Sequence, residues 1–215
     1  MCNSLHPPDA PLFADVGRIF VLSMGNHLES CREDVRKLYN IFNKLKITSY
    51  LFIFDCNPKE QLMKYVQDKT FTEKDLLIVH YSGHGKLVGK QINGKMEMLS
   101  TWLSYDMKTN ICSNDIDIIL SYLRCKIFLL SDSCHSGRFG DFYTAFHMLF
   151  IGSSSLTDQS KDFNKTGVLV NLLAFILSKT DLQYLTFSSL QNDIKEFYTE
   201  NKIIIKPVLK YIIKN

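Results

Sequence analysis

Paired cysteines, a membrane-length apolar run and a concentration of one charge are all missing from these 215 residues, and each gap removes a class of protein. Six cysteines are scattered at positions 2, 31, 56, 112, 125 and 134. No C-x-x-C occurs and no Cys/His grouping has zinc-finger spacing, so neither a disulfide scaffold nor a structural zinc module is expected. That usage fits a reduced, cytoplasmic compartment. Residues 1–16 carry prolines and acids where a secretory leader would have a positive start and an apolar stretch. No apolar run approaches the roughly 18 residues of a membrane helix, so no membrane partner is expected. The net charge is only +3 and the lysines are spread along the chain, which gives nucleic-acid binding no support. No repeat or low-complexity tract is present. The length suits one domain with a substantial core.

What the chain does have is a regular alternation of apolar runs and helical patterns. Residues 1–16 read as an irregular lead-in, with Pro7, Pro8 and Pro11 opposing regular structure. Arg18-Ile19-Phe20-Val21-Leu22-Ser23-Met24 is a strand suited to a sheet covered on both faces. A helix over residues 30–45 carries Val35, Leu38, Ile41, Phe42 and Leu45 at helical spacing. Residues 49–54 form a second strand, Asn57-Pro58 opens a second helix through Lys69, and residues 75–81 form a third strand. Residues 86–102 lack a helical period, and Asn93-Gly94 marks a β-hairpin outside the main sheet. Ser113-Asn114-Asp115 reads as the cap of a helix over 116–123. Strands follow at 126–130 and 145–151, then helices at 168–177 and 185–198 and a last strand at 207–213. The alternation predicts an α/β sandwich with a mainly parallel sheet of about six strands. In such sheets, sites lie at the C-terminal edge of the strands.

Two strands end there in reactive residues. Leu76-Leu77-Ile78-Val79-His80-Tyr81 runs into Ser82-Gly83-His84-Gly85, and Ile127-Phe128-Leu129-Leu130 runs into Ser131-Asp132-Ser133-Cys134-His135-Ser136-Gly137. Thiolate is the nucleophilic form of cysteine, so a catalytic cysteine needs a partner that takes its proton, and histidine suits this at neutral pH. We therefore read Cys134 as nucleophile and His84 as general base. Gly83 and Gly85 permit a sharp turn and close approach of a peptide. The backbone N–H groups of Gly85 and Cys134 are the expected oxyanion donors, one such donor being worth about 3 kcal/mol. Alone, a cysteine after a strand reads as a small buried residue and a Ser-Gly-His-Gly turn as a surface loop; the pair carries the catalytic reading. His135 adjoins the nucleophile and reads as structural, His80 as a core histidine and Trp102 as packing. His27 and His147 have no partner readable from sequence.

Tyr81-Ser82-Gly83-His84-Gly85 and Asp132-Ser133-Cys134-His135-Ser136-Gly137 resemble the two signature blocks of caspase-like cysteine peptidases, and of metacaspases in particular. Caspases place the histidine about 50 residues before the cysteine, and here 134 − 84 = 50. Leu28-Glu29-Ser30-Cys31-Arg32-Glu33-Asp34-Val35 is similar to the metacaspase segment opening the first helix, and residues 151–170 resemble the entry to the small subunit. The resemblance covers residues 17–215. It implies a caspase-like three-layer α/β/α sandwich, with a large part to about residue 152, a linker at 153–166 and a small part at 167–215. Caspases carry Gln two residues before the nucleophile and select aspartate; this chain has Asp132. By resemblance, Asp132, Asp34, Cys31 and Ser82 line a pocket for a substrate Arg or Lys. Two carboxylates in a partly desolvated pocket favour a cation.

Many metacaspases hold calcium on acids outside the active site. Here only Asp141 and Asp115 match such positions, and calcium takes six to eight oxygens, so no cofactor is expected to be required. The resemblance further implies cleavage within 153–166, with Lys161 and Lys165 suited to the chain's own specificity, and a monomeric state. Polypeptides with Arg or Lys at the scissile bond are the expected partners. Two other readings stay open: a caspase-fold interaction protein without catalysis, and peptide ligation by the same dyad.

Overall fold

The computed structural model describes residues 10–45, 47–145, 147–159, 162–163 (backbone alone), 166–205 and 207–213. Strand β1 (Arg18–Gly25) leads through helix α1 (Glu29–Phe42) to β2 (Ser49–Phe54), and α2 (Pro58–Gln67) returns the chain to β3 (Asp75–Ser82). An excursion follows: β4 (Gly85–Ile92), β5 (Lys95–Leu103) and β6 (Asn110–Cys112). Then α3 (Ser113–Ser121) leads into β7 (Lys126–Asp132), and a single 3-10 turn at Ser136–Arg138 precedes β8 (His147–Gly152). A short ladder of β9 (Asp162–Phe163) and β10 (Thr166–Gly167) opens α4 (Val168–Lys179), followed by α5 (Phe187–Glu200) and β11 (Val208–Ile213).

The main sheet has the order β11-β8-β7-β3-β1-β2. All its neighbours are parallel except β11, which runs antiparallel to β8. This is the expected α/β class with a six-stranded, mainly parallel sheet, and its alternating side chains divide the core in two. Val21, Leu76, Ile78, Phe128 and Leu130 pack with Leu38 and Phe42 of α1 and the apolar faces of α4 and α5. Leu22, Leu77, Val79, Ile127 and Leu129 pack on the other face with Leu62 and Tyr65 of α2 and Ile116 and Leu120 of α3. Strand residues of even and odd number thus diverge, as the period of two requires. Each fully buried aliphatic side chain on β3 contributes about 1.5–3 kcal/mol relative to exposure, which makes this central strand the firmest base for a loop.

Local signals account for several elements. Asn57 accepts from the Lys59 and Glu60 amides at 3.1 and 3.4 Å and is followed by Pro58 in the first turn of α2. Asn93 and Gly94 both have positive φ, 50° and 79°, the two-residue turn whose twist matches a hairpin. The expected cap at residues 113–115 is corrected. Those residues form the first turn of α3 itself, and Cys112 stands at the cap position without a side-chain bond. Residues 10–16 form turns, yet Leu12 and Phe13 are fully buried. The Leu12 amide donates to the Leu185 carbonyl at 2.7 Å, and the Phe13 ring lies 5.5 Å from that of Phe128.

His80 points into the α1/α4 layer with Nδ1 2.9 Å from the Ser23 hydroxyl. Complete burial pushes its imidazole from 6.5 down to about 3. The unfolded chain therefore takes up a proton here before the folded one does. Stability is intact above pH 6.5 and falls as pH drops toward 3, by up to ~1.4 kcal/mol per pH unit. In thermal melts between pH 7 and 5, His80→Leu is expected to flatten the loss of Tm on the acid side.

Candidate active site

Parallel pairing of β3 and β7 sets Tyr81 opposite Ser131 and Ser82 opposite Asp132. The strands end together, so the loops after them start side by side. The Gly83 amide donates to the Asp132 carbonyl at 3.2 Å, and the Asn26 amide, just past β1, donates to the Ser82 carbonyl at 2.9 Å. Three strand ends are thereby stitched along one edge. Two residues further on, a Cβ on Gly85 would lie 2.1 Å from the Cys134 carbonyl oxygen. The backbone after the histidine thus rests directly on that of the cysteine, a separation no other residue allows. His84 and Cys134 are both half-buried at this junction.

On the α2/α3 side, Tyr81 and Trp102 brace both loops. Their rings stack at 4.8 Å with 14° between planes. The Tyr81 hydroxyl lies 2.7 Å from the Leu103 carbonyl and 3.0 Å from that of His84. Trp102 Nε1 donates to the Ser131 hydroxyl at 2.8 Å, which pairs with that of Ser133 at 3.0 Å. Trp102 is therefore more than packing: it joins β7, beneath Cys134, to β5. Below the cysteine loop, Ser154 Oγ donates to the Ser133 carbonyl at 3.0 Å and Ser136 Oγ to the Ser154 carbonyl at 2.9 Å. The polar stretch from Ser153 thus begins as a buried cradle. His135, at φ 56°, turns its ring Nδ1 onto the Leu156 carbonyl at 2.8 Å. Asp117 on α3 accepts from the Gly140 and Phe142 amides, both at 3.0 Å, and so fixes the chain just downstream.

The opposite side of the same strand ends carries carboxylates. Ser82 and Asp132, even-numbered neighbours in register, lie under α1 and the start of α4. Ser82 Oγ donates to Asp34 Oδ2 at 2.5 Å, the Gly167 amide to Asp34 Oδ1 at 2.6 Å, and the Leu169 amide to Asp132 Oδ2 at 2.9 Å. Gly167 passes so close that a Cβ there would lie 2.0 Å from Asp132 Oδ2. Both acids are buried, Asp34 to 1% exposure and Asp132 to 5%, and the amide-bearing end of α4 favours their charge. Cys31 joins them. Burial, and then the two nearby carboxylates against an opposing Ser82 bond, pushes its thiol up to about 11, so it remains protonated at neutral pH. The structure thus brings Asp34, Asp132, Cys31 and Ser82 into one cluster.

The two acids considered for calcium are engaged separately. Asp141 pairs with Arg138 Nε at 2.5 Å and with Lys210, and Asp115 with Lys90 at 2.9 Å. Among the described residues no three His, Cys, Asp or Glu side chains form a group able to hold a metal. Lys161 and Lys165 lie outside the described residues. Sequence reasoning missed Asn26 and His27. Asn26 Oδ1 lies 2.8 Å from His27 Nδ1, and the rings of His27 and His84 are 5.5 Å apart. Their position directly after β1, on the edge that carries both loops, was the available signal.

The model of the caspase domain, a family of cysteine peptidases, matches residues 17–202. The chain belongs to the caspase-domain family. Its fold is shared with the crystal structure of protein GSU0716 from Geobacter sulfurreducens, at 12% identity and a TM-score of 0.65, over 92% of this chain and 94% of that one. No curated protein matches this caspase domain by sequence. Among its described residues no helix is long and apolar enough to cross a membrane.

The approach of Gly85 to Cys134 gives a direct check. Gly85→Ala is expected to force the two loops apart and to cost about 1–3 kcal/mol in denaturant unfolding. The alkylation rate of Cys134 by iodoacetamide should change at the same time. A variant with unchanged stability and alkylation would contradict the contact.

Proposed function

We propose that this caspase domain is a cysteine endopeptidase of metacaspase type that hydrolyses peptide bonds after Arg or Lys. The observation that supports it most is the seating of the His84 loop on the Cys134 backbone, with the Asp34–Asp132 pair on the adjoining face of the same two strands. In this reading the Cys134 sulfur attacks the substrate carbonyl carbon while His84 takes the thiol proton. The oxygen that gains charge is received by the N–H groups of Gly85 and Cys134. His84 returns its proton to the departing amine, leaving a thioester on Cys134. It then takes a proton from water as the hydroxyl attacks, and the thiol is restored with release of the acid. Thiol, imidazole and two amides supply every group these steps need, so the chemistry calls for no metal.

His84 suits that role. Burial first, and the neighbouring His27 second, hold its imidazole below the ordinary value, so the ring is a free base at neutral pH. The Asp34–Asp132 pair selects a cation because two carboxylates out of water favour a guanidinium or ammonium and repel an acidic side chain. We further infer that the domain works as a monomer on polypeptides in the cytoplasm.

Fluorogenic peptides ending in Arg, Lys or Asp, assayed with and without calcium, test this reading. Cleavage after Arg or Lys is expected, with Cys134→Ala inactive and His84→Ala slower by about 10²–10⁴-fold. Asp132→Asn should lower kcat/KM by about 10- to 100-fold through loss of a charged contact. Cleavage after Asp alone would refute the pocket. Failure to cleave any of the three would favour an interaction role.

A further inference from the structure

The residues just past β1 carry a second imidazole to the site. The Asn26 side chain is buried at 2% exposure, and its Oδ1 lies 2.7 Å from the His27 backbone nitrogen and 2.8 Å from His27 Nδ1. A backbone N–H only donates, so the Asn26 atom it meets is the oxygen. The ring nitrogen facing that same oxygen must then also donate. This fixes the tautomer: Nδ1 carries hydrogen, and the lone pair of the neutral ring is on Nε2. A second proton enters only at Nε2 and leaves the Asn26 bond intact, so the ring is held alike in both charge states. It is held against His84, with centroids 5.5 Å apart and planes tilted by 40°.

We propose that His27 is a positioning residue for His84: Asn26 fixes its ring, and the charge of that ring governs how readily His84 accepts a proton. This rests on the reading of His84 as general base. Tyr81 on β3 binds the His84 carbonyl, Cys134 stands on the loop packed against Gly85, and His27 comes from the β1 loop. Of these three only His27 can become positive. Two imidazolium rings at this separation oppose each other, so the first proton taken by the pair makes the second harder to add. His27 is exposed, while His84 is half-buried. A charge on the His27 ring therefore disfavours a proton on the half-buried His84 ring.

Titration of His84 by NMR of its ring carbon tests this without relying on turnover. His27→Phe keeps an aromatic ring over His84 but removes the charge; His27→Gln removes ring and charge together. Both variants are expected to move the His84 midpoint to higher pH. Whichever limb of the kcat/KM profile follows His84 should move the same way. An unmoved midpoint in His27→Phe would overturn the proposal, as would a rise confined to His27→Gln, which would leave burial as the sole cause. His84→Ala with undiminished peptide cleavage would instead overturn the reading of His84 as base, whatever the titration shows.

Discussion

Everything at the site depends on the register of two parallel strands. β3 and β7 are separated by some 50 positions along the chain, yet Ser82 stands opposite Asp132 and both strands stop at the same level. Strand alternation then sorts the neighbouring residues. Tyr81 and Ser131 turn toward the layer of α2 and α3, where Trp102 joins them. Ser82 and Asp132 turn toward α1 and α4, where Asp34 and Cys31 wait. A slip of one residue in either strand would exchange these sides, placing a carboxylate under Trp102 and a hydroxyl under α4. The apolar residues below the two loops penalise such a slip, because each would leave the layer it fits.

The arrangement also explains why the support for the two loops is polar while the base of the strands is apolar. Loops at a sheet edge have backbone groups that no ladder satisfies, and burial without partners would be costly. The Tyr81 hydroxyl and the hydroxyls of Ser136 and Ser154 supply those partners. Short side chains can do this close to the backbone. Carboxylates are satisfied in the same way on the other side, by the Gly167 and Leu169 amides at the start of α4.

Much of this was readable in advance, and for identifiable reasons. The runs ending at Tyr81 and Leu130 are continuous and apolar, so they declare central strands, and Asn93-Gly94 declares its turn. Asn57-Pro58 marks the start of α2 because both effects act within a few residues. Features that depend on distant pairing were not visible. β6 has only three residues and exists through its ladder with β5. Cys112 rather than a hydroxyl residue precedes α3, and the competing polar residues are absorbed into its first turn. Trp102 looked like core filling because nothing local points its N–H at Ser131. His27 had no partner in sequence because its neighbour lies 57 positions away on another strand end.

The seating of Gly167 on Asp34 and Asp132 has a consequence for chain continuity. β8 ends before residues 153–166, and α4, α5 and β11 follow them, yet β11 is hydrogen-bonded along β8 and the helices fill the same core as α1. Severing the backbone within that stretch would give two polypeptides that share one sheet and one interior. They would stay associated, and the new end near Gly167 would be released from its tether while still lying on the carboxylates. The two fragments would meet at Asp34 and Asp132, which hold the Gly167 and Leu169 amides.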